Sequence, residues 1–538
     1  MKQILIFTLI LFCFFSTSFG QKAQLTVGSD FHKPKSWGEM GECSHKVSFK
    51  GKTPDGYYLF EIQEQLSKST GLRDNNTLFI YEKYDTTSFK RVLSKSIETN
   101  SFITNEKNEY VWVYETKVVE DSLYILFSVY NQKQGTKCMM LVSCNQNNLV
   151  FSAPRKLFEI KDLKLDLIVG GSYYENPEKN RFFYIGDSED GSKTVIYYNR
   201  DDILPNGRTI NLQVWTKDFS SFLWEKEITT ENKHTGEFPD IILDENANVY
   251  MYVANFEKKN LNQQLIRITQ FGEEVVTNPI DFGEYNIASA GYKFDENGTL
   301  KVTGHYKKEA DFVGTFSYDF PLSQQKPTPV KLMKLESKKE EDRKKDTHTN
   351  LDKISGTHIY MGPILTFNTD NGDEITLVEE MSSESGSNGF WKGQPVISYE
   401  YRYYDIIASR TNKNGTVLWS HRIPKRQFEK QHQYQICSFY YQQDGENVQL
   451  FYNEDSEATY NVEEKKLKIF RIPMREKDKG AFVKVTISPD GTYKKDILYE
   501  FDKDGAIPMV MTMRPNGKNQ AVLGVSKNSS FTLGKLSW

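Results

Sequence analysis

The stretch Asp405–Pro424, DIIASRTNKNGTVLWSHRIP, reads as two short strands joined at Asn414-Gly415. Apolar and polar residues alternate on both arms, which turns one face of each toward a core. Asn-Gly supplies the positive φ that a tight hairpin turn needs. The pattern recurs, in different residues, at Leu78–Ile97, Ile210–Ile228, Gln264–Phe282 and Ala481–Phe501.

Each hairpin is half of a larger unit. Phe238–Phe282 runs FPDIIL, a turn at Asp244–Asn248, VYMYVANF, a connection, and then the hairpin. With the strands lettered a to d, such units begin near Cys43, Glu109, Ile168, Phe238, Ile287, Pro363, Gln435 and Pro508. Four-stranded antiparallel sheets repeated along a chain predict an all-β protein, a single β-propeller with one sheet per blade. The last unit has only three strands, VMTMRPN, QAVLGVS and SFTLGKLSW, while Ala23–Ser29 is a lone alternating strand. A ring leaves no open sheet edge, so the N-terminal strand is expected to complete the final blade. Eight blades are the first expectation and seven the second.

The chain opens with Lys2, an apolar run from Ile4 to Phe15 and small residues at Ser18 and Gly20, the pattern of a signal peptide over 1–20. The propeller domain then spans 21–538, with a charged insertion at 336–350. The expected location is periplasmic, cell-surface or secreted. No later run approaches the roughly 20 apolar residues of a transmembrane helix. A net charge of −4, spread in short mixed runs, argues against nucleic acid as a partner. Aromatic residues make up 14% of the chain and many fall on strands, which suits a β fold. Cys138 and Cys144 share one strand about 20 Å apart, too far for a mutual disulfide. Buried thiols are the expectation for the mature cysteines, and no cysteine or histidine spacing indicates a metal site. The turn at Asp502–Gly505 lacks the Glu of a calcium loop, since Met513 stands in its place.

In a blade ordered a-b-c-d, the a–b and c–d turns share one face of the disc and the b–c and d–a connections share the other. The first set is short, as in DENAN, NKNG and SPDG. The second holds the long segments Glu64–Asn76, Asp187–Arg208, Ser382–Pro395, Asp455–Lys479 and the charged insertion. Function gathers on the loops of a rigid scaffold, so this face is the expected binding side. Phe390 and Trp391, flanked by Gly386, Gly389 and Gly393, are read as the aromatic tip of a mobile loop. Tyr399 and Tyr401 continue toward Tyr403 at period two, either as ligand contacts or as packing between blades. Tyr460 belongs to the facing loop of the next blade. His234, Asp240, His432 and Asp504 are placed at the channel mouth, where a propeller enzyme would carry its site, or else on the plain surface. No nucleophile elbow, phosphate loop or dinucleotide motif occurs, and no cofactor is expected.

Gly372–Met381, the long segment after it, and YYDIIASRTNKNGTVLWSHRIPKRQ together resemble a segment of large exported propeller proteins of Bacteroidota, over about 55 residues. Its mark is the Trp-Ser-x-basic-Ile-Pro-Lys run at Trp419–Lys425. The resemblance implies an envelope or secreted propeller of unassigned activity and carries no catalytic residue. Two functions stand open: a non-catalytic binding or scaffold module for a protein or glycan partner, or a propeller hydrolase or lyase acting on a polysaccharide. A glycosidase needs two carboxylates about 5–10 Å apart in a pocket.

Overall fold

The computed structural model describes residues 23–32, 45–66, 76–102, 109–131, 134–161, 183–200, 207–231, 241–257, 260–295, 298–308, 311–321, 327–334, 359–361, 365–391, 394–413, 416–430, 436–456, 470, 479–502, 504–527 and 530–538. These form eight antiparallel sheets arranged as the blades of a β-propeller. Blade 1 is His45–Lys52, Tyr58–Leu66, Asn76–Tyr84 and Arg91–Glu98. Blade 2 runs from Glu109–Val119 to Arg155–Ile160, blade 3 from Phe183–Asp187 to Phe222–Glu231, and blade 4 from Ile241–Leu243 to Glu274–Ile280. Blade 5 runs from Asn286–Phe294 to Lys331–Lys334, blade 6 from Ile359–Met361 to Gln427–Lys430, and blade 7 from Tyr440–Asp444 to Tyr493–Asp502. Blade 8 holds Ile507–Pro515, Gln520–Lys527 and Ser530–Ser537.

The N-terminal strand Gln24–Val27 completes blade 8. It pairs antiparallel with the last strand, Gln24 opposite Ser537 and Val27 opposite Gly534. The chain then follows the same strand to His32, whose N–H donates to the Phe531 carbonyl at 2.6 Å. Gly28 permits this close approach. A Cβ there would lie 2.8 Å from the Phe89 carbonyl and 2.9 Å from that of Leu533, too near for any side chain. The ring is thus closed by backbone hydrogen bonds between its two ends.

Sequence alternation suggests one buried face per strand, but the middle strands bury both. In blade 1, Tyr58, Phe60 and Ile62 pack toward blade 8, while Leu59 packs toward blade 2. Each blade is covered on both sides by neighbours, so the core is a set of layers between blades. One such layer joins blades 3 and 4, and another joins blades 6 and 7.

The short-turn face repeats one device. In Thr53–Gly56, Ser188–Gly191, Asp244–Ala247, Thr369–Gly372 and Ser488–Gly491 the fourth N–H donates to the first carbonyl. The first residue is Ser, Thr or Asp, whose side chain competes for turn hydrogen bonds, and the fourth is usually Gly at positive φ. Two tryptophans link blades through these turns. Trp224 Nε1 donates to the Ala247 carbonyl of blade 4 at 3.0 Å, and Trp419 Nε1 to the Pro489 carbonyl of blade 7 at 3.0 Å. Cys138, Cys144 and Cys437 are not in disulfides; burial pushes the Cys144 thiol up to about 12.

Candidate functional site

Strand b of seven blades is 8–10 residues long. In blade 6 it is Glu374–Trp391, 18 residues, and strand c is Gln394–Thr411, also 18. The segment expected to be a mobile glycine loop is therefore a long β-hairpin. Strand a reaches Ser382 on one edge and strand d reaches Glu400 on the other. Beyond them residues 383–391 pair only with strand c, forming a two-stranded ribbon that extends roughly 30 Å at about 3.3 Å per residue. Phe390 pairs with Pro395 and Trp391 with Gln394 at its tip, and a register shift between Ser387 and Phe390 takes up Asn388-Gly389. Strong strand formers on the partner, Tyr399 and Tyr401, carry the pairing through Gly- and Ser-rich sequence.

The ribbon stands on a base of buried charges. Lys425, fully buried, donates to Glu379 and, at 2.8 Å, to Gln427 Oε1. Ser438 Oγ of blade 7 donates to the other Glu379 oxygen at 2.6 Å. Burial lowers the Lys425 pKa, against the pull of Glu379. Arg422 bridges Glu380 at 2.5 Å and Asp405 at 3.1 Å, and Arg426 also binds Asp405. For Arg422 these two carboxylates outweigh burial, so its pKa is raised. Asn453 of blade 7 donates to the carbonyls of Ile436 and Pro508, both at 2.8 Å, tying blade 7 to blade 8. Tyr403 is buried and its hydroxyl donates to Glu429 at 3.2 Å; Tyr401 is half-buried and packs against the same core. The Trp-Ser-x-basic-Ile-Pro-Lys run is therefore a clamp between blades 6 and 7. Arg410 extends it to the short-turn face, binding Asp373 at 2.9 Å and Glu446 of blade 7.

The facing loop of blade 7 reaches this base. Phe470 lies beside the outer strand of blade 6, its N–H donating to the Arg426 carbonyl at 2.9 Å and its carbonyl accepting from Phe428 N–H at 3.0 Å. Its ring is buried edge-on against Phe501. At Phe470 the blade 7 connection thus adjoins the outer strand of blade 6. Tyr460, His234, Asp240 and His432 lie outside the described residues. Asp504 is exposed in the turn between blades 7 and 8, its N–H donating to Asp502 Oδ1 at 3.0 Å.

A second cluster lies at the closing seam and was not anticipated. His32 Nε2 meets Glu64 Oε1 at 2.8 Å, and its Nδ1 lies 3.5 Å from Glu82 Oε1. Arg91 and Tyr84 also bond Glu82, each at 2.6 Å. Burial would lower the His32 pKa, but the two carboxylates raise it to about 9. The sequence signal was present: Glu64 and Glu82 occupy the same alternation phase as the buried Phe60 and Ile80. Among the described residues no group of three or more His, Cys, Asp or Glu is arranged to hold a metal.

No family model and no curated protein matches this chain. Among solved structures it is similar to an ulvan lyase of a polysaccharide lyase family bound to -[GlcA(1-4)Rha3S]-, with 11% identity, 78% of this chain and 90% of that chain covered, and a TM-score of 0.36. Polysaccharide lyase Uly1 follows at 10% identity, with 82% and 94% covered and a TM-score of 0.33. The β-propeller domain of the Trilobed protease from Pyrococcus furiosus has 9% identity, 72% and 97% covered, and a TM-score of 0.31. At such levels no residue of these proteins is matched to one of this chain.

Proposed function

We propose that this chain is a non-catalytic binding propeller that acts outside the cytoplasm and engages a protein or glycan partner on its long-loop face, at the blade 6 ribbon. The observation that carries this reading is the length of that ribbon. Among the described residues it overshoots every other b–c connection formed by paired strands, and its root is fixed by charge pairs within blade 6 and a Ser438 hydrogen bond from blade 7. A two-stranded ribbon is marginal by itself, so a rigid root and a partner at the tip are what such an element needs. The acids at this root, Glu379, Glu380 and Asp405, each sit on a cation, which supports holding a shape over moving a proton.

The test replaces residues 383–399 by an Asn-Gly turn and, separately, makes Phe390→Ala/Trp391→Ala. Both variants and the parent are passed over a glycan array and used to pull down envelope proteins. Unchanged melting with binding reduced at least about tenfold is the expected result. Equal binding by parent and ribbon-deleted chain would move the site elsewhere. Turnover of an arrayed polysaccharide by the parent would favour the hydrolase or lyase reading.

A further inference from the structure

The short-turn face also carries a cleft, between blades 8 and 1. Its volume is about 350 Å³, and it is lined by Phe49, Lys50, Lys52, Tyr58, Arg514, Asn516 and neighbours. Three cations border it, and no lining residue is acidic.

Three other seams on this face neutralise a cation. Lys83 is bound by Asp55 at 2.6 Å and by the Asn147 carbonyl of blade 2. Arg410 is held by Asp373 and Glu446. Between blades 2 and 3, Lys117 on the inner strand of one pairs with Asp187 at the end of the inner strand of the other.

The seam between blades 8 and 1 has the same frame with one charge reversed. Asp187 directly precedes a turn in which Ser188 Oγ bonds Asp190 at 2.6 Å and Gly191 N–H donates to the Ser188 carbonyl at 2.8 Å. Lys52 directly precedes the matching turn of blade 1, where Thr53 Oγ1 bonds Asp55 at 2.6 Å and Gly56 N–H donates to the Thr53 carbonyl at 2.9 Å. Arg514 lies on the inner strand of blade 8, as Lys117 does on that of blade 2. Where one seam sets lysine against aspartate, the other sets arginine against lysine. Asp55, the acid of that turn, is taken by Lys83, and Lys50 is taken by Glu61 and Thr116. Arg514 and Lys52 are exposed, and among the described residues neither has an ion-pair partner. One guanidinium nitrogen of Arg514 donates to the Met513 carbonyl at 2.7 Å, which steadies the side chain without neutralising it.

We propose that this cleft binds the carboxylate of a small ligand, which stands where the missing aspartate would be. Arg514 offers a planar pair of donors suited to a carboxylate, and Lys52 adds a point charge. Tyr58 donates to Asn516 Oδ1 at 3.0 Å, which leaves the Asn516 amide hydrogens as further donors. Phe49, Pro515 and Val522 provide an apolar wall for the body of the ligand. The volume falls within the range of small-molecule sites. The carboxylate can come from an acidic sugar or from the end of a peptide, and the cleft chemistry is the same for both. This site lies on the opposite face from the ribbon and does not depend on it.

The experiment is calorimetric titration of the full chain at low salt with two matched pairs, glucuronate against glucose and N-acetylphenylalanine against its amide. At least one acid should saturate a single site about tenfold or more tightly than its neutral partner. Whichever acid binds identifies the source, and binding of both makes the carboxylate the common anchor. Lys52→Asp rebuilds the pairing seen at Lys117–Asp187, so it should abolish binding while raising the melting temperature. Arg514→Gln should weaken binding by about tenfold with melting unchanged. Neutral partners binding as well as the acids, or full binding by Lys52→Asp, would overturn the proposal.

Discussion

The seam between blades 6 and 7 and the seam between blades 8 and 1 are held by different means. At the first, neighbouring blades are consecutive in the chain and polar groups lock them together: Arg410 of blade 6 pairs with Glu446 of blade 7, and the blade 6 pair Lys425–Glu379 accepts Ser438 of blade 7. At the second, backbone pairing and apolar packing join the two ends, with His32 as a strap over Glu64 and Glu82. Buried ion pairs add little net stability over apolar packing, but they admit one geometry. That suits a seam that must aim a ribbon. Backbone pairing is tolerant of side chains and strong in sum, which suits a seam that must bring distant ends together.

Removing residues 24–32 should have the largest effect. It exposes the edge of the last strand and the apolar side chains beneath Leu25 and Val27, a loss on the order of 5 kcal/mol or more. Guanidinium titration should then lose its single cooperative transition; a single transition at the parental midpoint would mean that the ring does not rely on this strand.

Next comes Lys425→Met, which strands Glu379 without its cation. Unfolding free energy should fall by about 3–5 kcal/mol. Adding Glu379→Gln should restore most of it, because what costs is the unpaired charge; a double variant no better than the single would refute that account.

The His32 strap is smaller and depends on pH. Its folded pKa of about 9 lies above the ordinary 6.5, so its stabilisation is fully present below pH 6.5 and fades as pH rises through 9. The size is on the order of 3 kcal/mol for a group 14% exposed. Denaturant midpoints at pH 6 and pH 10 should differ in the parent and much less in His32→Gln. Smallest is Trp419→Phe, which loses one hydrogen bond to Pro489 and about 1 kcal/mol, read as a few degrees of melting temperature.

What the sequence revealed follows from range. Alternation and turn chemistry are local, so the strands around Asn414-Gly415, the number of units and the orphan strand at Ala23–Ser29 could be read directly. Blade 3, however, begins at Phe183 and not near Ile168, and the Asp187–Arg208 segment expected to be one long connection holds a tight turn and strand Lys193–Arg200. The ribbon was misread because Gly386, Gly389 and the surrounding serines are weak strand formers, and the pairing that orders them comes from residues on the opposite arm. The basic residues of the Trp419–Lys425 run likewise find their partners at a distance. Glu379 lies 46 residues from Lys425 and Glu380 lies 42 from Arg422, so nothing local connects them. Lys52 and Arg514 meet only because the ring closes. Glu64 and Glu82 were visible as acids in a buried phase, yet their histidine partner sits in a different blade.

The closing strand also sets an order of events. Gln24 and Ser537 are opposite each other in one sheet, although nearly the whole chain lies between them. Contacts of such separation form late, since the loop they close costs the most entropy. Until the last strand has left the ribosome, the first has nothing to pair with, and blade 1 waits with the Glu64 side of its sheet uncovered. The carboxylate cleft, built from both ends of the ring, comes into existence only at that final step, so its occupancy would report that the molecule has finished folding.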